Sequence, residues 1–90
     1  MVASLHSFKH DIFRNLLIEA RKNAQLTQVQ LAEKLNIAQS FVSKYERGER
    51  RLDFTEFIEI SELLGIDSSL FIISYKNKIA ALGSKYEKNK

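Results

Sequence analysis

The sequence predicts an all-α fold in which five helices form one compact domain. Apolar residues recur at helical spacing in several stretches, and most of these stretches begin with a residue type that caps helix N-termini. The chain of 90 residues has no proline and only three glycines, which favours helices with short connections. A chain of this length has room for one core, and without cysteine no disulfide can reinforce it.

The first helix is predicted from apolar residues that recur at i, i+3, i+4, i+7 and i+11. These residues are Phe13, Leu16, Leu17, Ala20 and Ala24. They form one face of a helix of about 15 residues, which Phe8 and Ile12 can extend toward the N-terminus.

Two short helices joined by a tight turn are predicted within residues 27–47. Thr27 and Gln30 form a capping box, and Leu26 with Leu31 forms the accompanying hydrophobic staple. Asn36 follows, and asparagine tolerates the left-handed conformation that ends a helix. We therefore expect a first helix up to residue 35 and a second over residues 38–46.

Small and branched apolar residues are expected to pack these two helices together. Ala32 lets the backbones approach, Val42 and Tyr45 face inward, and Ile37 is expected to be a buried plug in the turn. Ala38 stands at the N-cap of the second helix, where a side chain that cannot accept a hydrogen bond costs about 1 kcal/mol.

Two further helices are predicted by capping residues. Asp53 with Glu56 begins a helix that ends at Gly65, with Phe54 expected on its core face. The other residues expected on this core face are Phe57, Ile58, Ile60 and Leu64. Asp67 caps a last helix that we expect to run to Gly83, although the segment FIISY also has strand propensity. We expect a domain over residues 1–82 and a disordered basic tail over residues 83–90.

The residues of the helix pair resemble the helix-turn-helix of the phage repressor and Cro family, also called the xenobiotic-response-element family. The resemblance is carried by Gln28, Ala32, Asn36, Ile37, Val42 and the ending Glu46-Arg47-Gly48. It extends from about Ile12 to Ile73 and implies a lambda-repressor-like five-helix fold. It also implies sequence-specific binding of double-stranded DNA, with the recognition helix 38–46 in the major groove. The alternative is a helical hairpin with no DNA contact.

The resemblance and the residue types together predict the DNA contacts. Gln39 can pair with adenine and Lys44 with guanine, while Ser40 suits either base and Phe41 can contact a thymine methyl. Phe41 has the alternative of packing against its own chain or a partner subunit. The predicted phosphate contacts are Gln28, Ser43, Arg47, Arg50 and Arg51.

Two structural roles also follow from the resemblance and the residue pattern. Arg21 is expected to pair with Glu46, because the family has such a pair, although two independent surface charges are the alternative.

The last helix carries an apolar stripe, and a homodimer through it would place two recognition helices on a near-palindromic operator. This stripe could instead fold back on its own core. Its members are Ile72, Tyr75, Ile79 and Leu82.

The charge distribution agrees with a polyanion that approaches from one side. Residues 1–51 carry a net charge of +4, residues 52–75 carry −5, and residues 76–90 carry +4, which gives +3 for the chain. Charge asymmetry of this kind concerns partners more than fold. The basic excess surrounds the helix pair and the loop after it.

Other classes of function are not supported. There is no glycine-rich phosphate loop, and no histidine stands near a carboxylate or a serine at a catalytic spacing, so we expect no enzyme and no cofactor. His6 and His10 lack a third ligand, so no metal is expected. No stretch of 18 apolar residues occurs, and we expect a cytoplasmic protein that contacts no membrane.

The predicted function is that of a small transcriptional regulator. Prophage repressors, restriction–modification controllers and antitoxins share this scaffold, and both repression and activation are compatible with it. Because no second domain is evident, we expect no small-molecule effector. The alternative class is a protein–protein adaptor or antitoxin-type module that uses the same fold through its apolar last helix.

Overall fold

The computed structural model describes residues 2–87, with the side chains of residues 8–82. Five helices and no strand occur in this part of the chain, which confirms the predicted all-α fold. The helices are α1 (Val2–Asn23), α2 (Gln28–Leu35), α3 (Gln39–Arg47), α4 (Phe54–Leu64) and α5 (Ser68–Glu87).

Three helices begin as their capping residues predict. The Thr27 hydroxyl accepts the Gln30 backbone N–H at 3.0 Å, and the Gln30 side chain accepts the Thr27 N–H at 2.9 Å. Asp53 and Glu56 form the same reciprocal box at 2.8 and 2.9 Å. Asp67 accepts two backbone N–H groups of the first turn of α5. These contacts satisfy backbone donors that have no partner inside the helix.

Three helices end at residues in the left-handed conformation. Asn36, Gly48 and Gly65 have φ values of 59°, 83° and 72°, and each donates its N–H to carbonyls of the preceding helical turn. These endings allow sharp changes of direction after α2, α3 and α4. The chain can therefore fold α3 back across α1 and α2.

The core lies where all five helices meet. Phe13 of α1, Phe57 of α4 and Phe71 of α5 contact one another, with ring centroids 5.0–5.9 Å apart. Val42 and Tyr45 anchor α3 beneath its exposed face, and both are almost completely buried. The buried apolar residues are Ile12, Leu17, Leu31, Ala32, Val42, Tyr45, Phe57, Ile60 and Phe71.

Two predictions of buried side chains are wrong. Ile37 lies in the turn but is 37% exposed, because it lines the rim of a small cleft between α2, α3 and α4. Phe54 is 71% exposed. It stands in the first turn of α4, whose buried side is formed by Phe57, Ile60 and Ser61.

The first and last helices are longer than predicted. The helix α1 has 22 residues, because no helix-breaking residue interrupts the chain before Ile12. Ala24 lies just beyond its end and is exposed. The helix α5 continues through Gly83 to Glu87, since a single glycine weakens a helix without necessarily ending it. The predicted disordered tail includes residues 88–90, which lie outside the described residues.

Candidate nucleic-acid interface

Helix α3 is fixed at its inner face and open at its outer face. Val42 and Tyr45 pack into the core, and burial raises the pKa of the Tyr45 phenol. Gln39, Ser40 and Lys44 are exposed. The same helix thus combines an apolar anchor with a projecting row of polar side chains, as the helical period requires.

A buried carboxylate ties α3 to α1. Arg21 Nε donates to Glu46 Oε2 at 2.7 Å, and a second guanidinium nitrogen donates to Oε1 at 3.1 Å. The side chains are 11% and 4% exposed, so this predicted pair is present and largely shielded from water. Arg21 also donates to the Leu26 carbonyl at 2.8 Å, which holds the α1–α2 connection.

Two side-chain amides connect the Glu46 carboxylate by hydrogen bonds to the exposed face of α3. Gln28 Nε2 donates to Glu46 Oε1 at 2.8 Å, and Gln39 Nε2 donates to Gln28 Oε1 at 3.0 Å. We call Arg21, Glu46, Gln28 and Gln39 the Glu46 brace. Because Glu46 can only accept, it fixes which end of the Gln28 amide faces Gln39. Gln39 then retains its carbonyl oxygen and one N–H for another partner.

A second arginine, which the sequence analysis missed, holds the end of α3. Arg14 donates to the Glu46 carbonyl and forms an ion pair with Asp11 at 2.6 Å. A positive side chain at a helix C-terminus also interacts favourably with the helix dipole. Arg14 lies seven residues before Arg21, two helical turns away on the same face of α1, and this spacing was the available signal.

Phe41 is partly packed against its own chain. Its ring meets the Tyr45 ring edge-on at 5.9 Å, and the Arg50 guanidinium lies 4.2 Å from its centroid. It is half-buried, whereas the neighbouring Ser40 is exposed. Part of the ring therefore supports the loop after α3.

Four of the five residues predicted to contact phosphates have side chains that are bound within the chain, and one of the four belongs to the Glu46 brace. Arg47 donates to both Glu49 oxygens at 3.0 Å and to the Ser43 hydroxyl at 3.1 Å. Arg50 donates to both Glu56 oxygens at 2.9 and 3.0 Å. The Arg47 and Arg50 guanidinium groups hold the carboxyl pKa of Glu49 and of Glu56, respectively, below its usual range.

Arg51 and the start of α3 offer further features for anion binding. Arg51 is exposed and follows the Arg50–Glu56 pair. Ala38 makes no side-chain cap, as predicted, so the first N–H groups of α3 receive no hydrogen bond from it. The N-terminus of a helix favours an anion through these N–H groups and the dipole.

The apolar stripe of α5 is only partly covered by the chain. Tyr75 and Ile79 are half-buried, while Ile72 and Leu82 remain 42% and 40% exposed. Leu70 and Ile73, which were not in the predicted stripe, are more exposed at 61% and 53%. The structure therefore leaves apolar area on α5 that a second molecule could cover.

Residues 17–71 match the helix-turn-helix family. This match covers more than half of the chain. The chain belongs to the helix-turn-helix family of phage repressor and Cro type. The family comprises DNA-binding transcription regulators and not enzymes.

Two curated relatives are members of this helix-turn-helix family from Bacillus subtilis (strain 168). The HTH-type transcriptional regulator ImmR is 36% identical over 66 residues, which cover 69% of this chain and 52% of that protein. The uncharacterized HTH-type transcriptional regulator YqaE is 31% identical over 67 residues, covering 74% of this chain and 58% of that protein. The chain thus spans about half the length of these relatives.

A solved helix-turn-helix structure shares the fold over most of its length. It is an XRE-family like protein from Pseudomonas syringae pv. tomato str. DC3000, with a TM-score of 0.79 and 36% sequence identity. The match covers 86% of this chain and 94% of that one.

The described part of this helix-turn-helix domain contains neither a metal-site cluster nor a membrane-spanning helix. Among the described side chains, no three His, Cys, Asp or Glu residues are grouped as a metal site would require. His6 lies outside those side chains. None of the described helices is long and apolar enough to cross a membrane.

Proposed function

We propose that this regulator binds a specific double-stranded DNA sequence with its recognition helix, residues 38–46, in the major groove. The observation that carries the proposal is the Glu46 brace, which orients the exposed Gln39 amide from inside the protein. A preorganised amide loses little conformational entropy when it binds. In the structure the helix runs one residue further than predicted, to Arg47.

The free hydrogen-bonding groups of Gln39 match adenine. Adenine presents the N7 acceptor and the N6 donor side by side in the major groove. Gln39 has one N–H left to donate to N7 and a carbonyl oxygen to accept from N6. Lys44, five residues further along the helix and also exposed, would donate to guanine O6 and N7, with Ser40 as a further base contact. Phe41 would offer only the exposed part of its ring to a thymine methyl.

The phosphate contacts would differ in how readily they form. Arg51 is exposed, whereas Arg47 and Arg50 would exchange Glu49 and Glu56 for DNA phosphates. Gln28 keeps one amide N–H after its contact with Glu46, whereas Ser43 would have to give up the hydrogen bond that its hydroxyl donates to the Ser40 carbonyl. We therefore expect Arg51 to contribute more to affinity than Arg50.

A homodimer through α5 would read a near-palindromic operator. Ile72 and Leu82 are exposed on this helix beside the half-buried Tyr75 and Ile79. A twofold axis through the stripe would direct both recognition helices to one side of the duplex, about 34 Å apart. This function would be performed in the cytoplasm.

Selection of duplexes from a random pool tests the proposal. We expect one enriched sequence with two half-sites whose centres are about 10 base pairs apart. Lys44→Ala should relax preference at one base pair by about 1–3 kcal/mol. The matched control Lys34→Ala removes an exposed lysine from α2 and should leave the preference unchanged. Recovery of unrelated sequences would contradict sequence-specific binding.

The exposed side of α5 supports a second candidate, in which the domain is a protein–protein adaptor or antitoxin-type module. Leu70 and Ile73 are apolar and largely exposed, as in surfaces that bind other proteins. This candidate predicts no salt-sensitive affinity for duplex DNA. DNA binding that weakens steeply with salt would exclude a pure adaptor.

A further inference from the structure

A cavity of about 380 Å³ opens between α1, α5 and the loop before α4. Its floor is formed by the aromatic cluster of Phe13, Phe57 and Phe71, and Ile72 and Tyr75 form the wall on α5. This volume lies within the range of roughly 300–1,000 Å³ that small-molecule pockets occupy. No small-molecule effector was predicted from the sequence, because the cavity forms only where these elements meet in the fold.

The mouth of this cavity is cationic. Lys9 and Arg51 line it together with His10, and no acidic residue is among the described side chains that line it. Burial and the nearby Arg51 charge lower the pKa of His10, so at neutral pH the positive charge comes from Lys9 and Arg51. Asp11, which is not in the lining, is the acidic group that acts on His10 in the opposite sense. An apolar floor beneath two cations is complementary to an apolar molecule that ends in one anionic group.

We propose that this cavity binds a small amphipathic carboxylate, such as a medium-chain fatty acid, with its apolar part on the aromatic floor. The carboxylate accepts hydrogen bonds from Lys9 and Arg51 at the mouth. Because Arg51 is also a proposed phosphate contact, the bound carboxylate competes with DNA for this guanidinium. This competition rests on the proposed function, whereas binding of the carboxylate does not.

An NMR titration of the full chain with octanoate tests the site without DNA. We expect saturable binding of one octanoate, with shifts of amide resonances concentrated at Phe57, Phe71 and Ile72. Octanol has the same chain without the charge, and it should bind about tenfold more weakly. Equal affinity for octanoate and octanol would overturn the proposed carboxylate contact.

A double variant tests how much the two cations at the mouth of the cavity contribute to octanoate affinity. The double variant Lys9→Gln with Arg51→Gln should reduce octanoate affinity to that of octanol. The matched control Lys22→Gln with Lys34→Gln removes the same charge from exposed residues of α1 and α2 outside the cavity. It should change octanoate affinity less than about twofold. An equal loss in both variants would show attraction to net charge and would overturn the site.

A second copy of the chain is the competing occupant, because Ile72 and Tyr75 also belong to the proposed dimer stripe. In that case the cavity resonances would shift with protein concentration and would not respond to octanoate. Non-saturating shifts centred on Leu70 and Ile73 would indicate loose adsorption to the exposed apolar side of α5. Either result would overturn the proposal.

Discussion

Glu46 is the residue on which the geometry of the candidate interface depends. It accepts hydrogen bonds from Arg21 and Gln28 while only 5% of its surface is exposed. A buried ion pair is weak evidence for stability by itself, because desolvation offsets much of its attraction. Removing one partner is costly, since the other charge then remains buried without compensation.

Glu46→Gln should therefore lower the free energy of unfolding by about 3 kcal/mol, because the Arg21 charge would remain shielded from water. Urea denaturation measures this change. Glu49→Gln is the control: it breaks an ion pair whose two side chains are more than half exposed, and should leave the urea midpoint nearly unchanged. Equal shifts in the two variants would argue against a special role of Glu46.

Substitutions of Gly48 and Gly65 distinguish the cost of backbone strain from the cost of displacing a neighbouring side chain. Gly48 and Gly65 both have positive φ, but a Cβ at Gly48 would lie 3.1 Å from Arg14 Nε and one at Gly65 would meet no atom within 4 Å. Gly65→Ala should cost about 1–2 kcal/mol for the left-handed backbone. Gly48→Ala should cost more, because Arg14 must also move from the end of α3. A smaller loss for Gly48→Ala in urea denaturation would contradict this role of Arg14.

At the scale of single residues, sequence reasoning predicted contacts that depend on local chemistry or on a pair known in the family. The Thr27 capping box and the Arg21–Glu46 pair are of these kinds. Arg14 and the internal partners of Gln28 depend on how three helices meet. That geometry is not contained in any one stretch of sequence.

The N-cap of α4 is a carboxylate, Asp53, whose protonation affects the stability of the helix. Asp53 accepts the backbone N–H of Glu56 and the hydroxyl of Thr55, and these hydrogen bonds hold its carboxyl pKa below the ordinary 3.8. A depressed folded-state pKa contributes stability that is complete above the unfolded pKa and is lost as pH falls through the folded one.

Asp53→Asn keeps an acceptor at the cap and removes its titration. Between about pH 5 and pH 3, the urea midpoint of this variant should fall less steeply than that of the wild type. Glu33→Gln removes an exposed carboxylate of α2 and serves as the control. If Asp53→Asn and the wild type show the same pH dependence, the cap contributes nothing to acid sensitivity.

Helix ends were predicted correctly where the residue after the helix adopts the left-handed conformation. Asn36 and Gly65 adopt positive φ and end their helices as predicted. Gly83 lies inside α5, because a glycine ends a helix only where the chain turns away. Phe54 was wrongly predicted to be buried. It lies in the first turn of α4, before the residues of this helix that pack against the core.

For the molecule as a whole, acidic side chains reduce the positive charge of the surface around α3. Glu49 and Glu56 hold Arg47 and Arg50 through paired hydrogen bonds. These carboxylates limit the number of cations that are immediately available to a polyanion. In the proposed complex, specificity would then depend more on base contacts, since phosphate contacts carry no sequence information directly.

Glu49→Gln should therefore increase affinity for a random-sequence duplex several-fold, because Arg47 becomes available to a phosphate. The slope of log affinity against log salt should become steeper by about 1. Glu62→Gln makes the same change in net charge on α4 and should have a smaller effect. Fluorescence anisotropy over a salt series measures both slopes, and identical behaviour would indicate that only net charge matters.

Base analogues in the selected operator test most directly whether α3 reads the major groove. Replacing the guanine that Lys44 is proposed to contact by 7-deazaguanine removes a major-groove acceptor, whereas inosine removes only the minor-groove amino group. The deaza substitution should reduce wild-type affinity by about 1–3 kcal/mol and have little effect on Lys44→Ala, while inosine should have little effect on either. Loss of affinity with inosine alone would contradict major-groove recognition by α3.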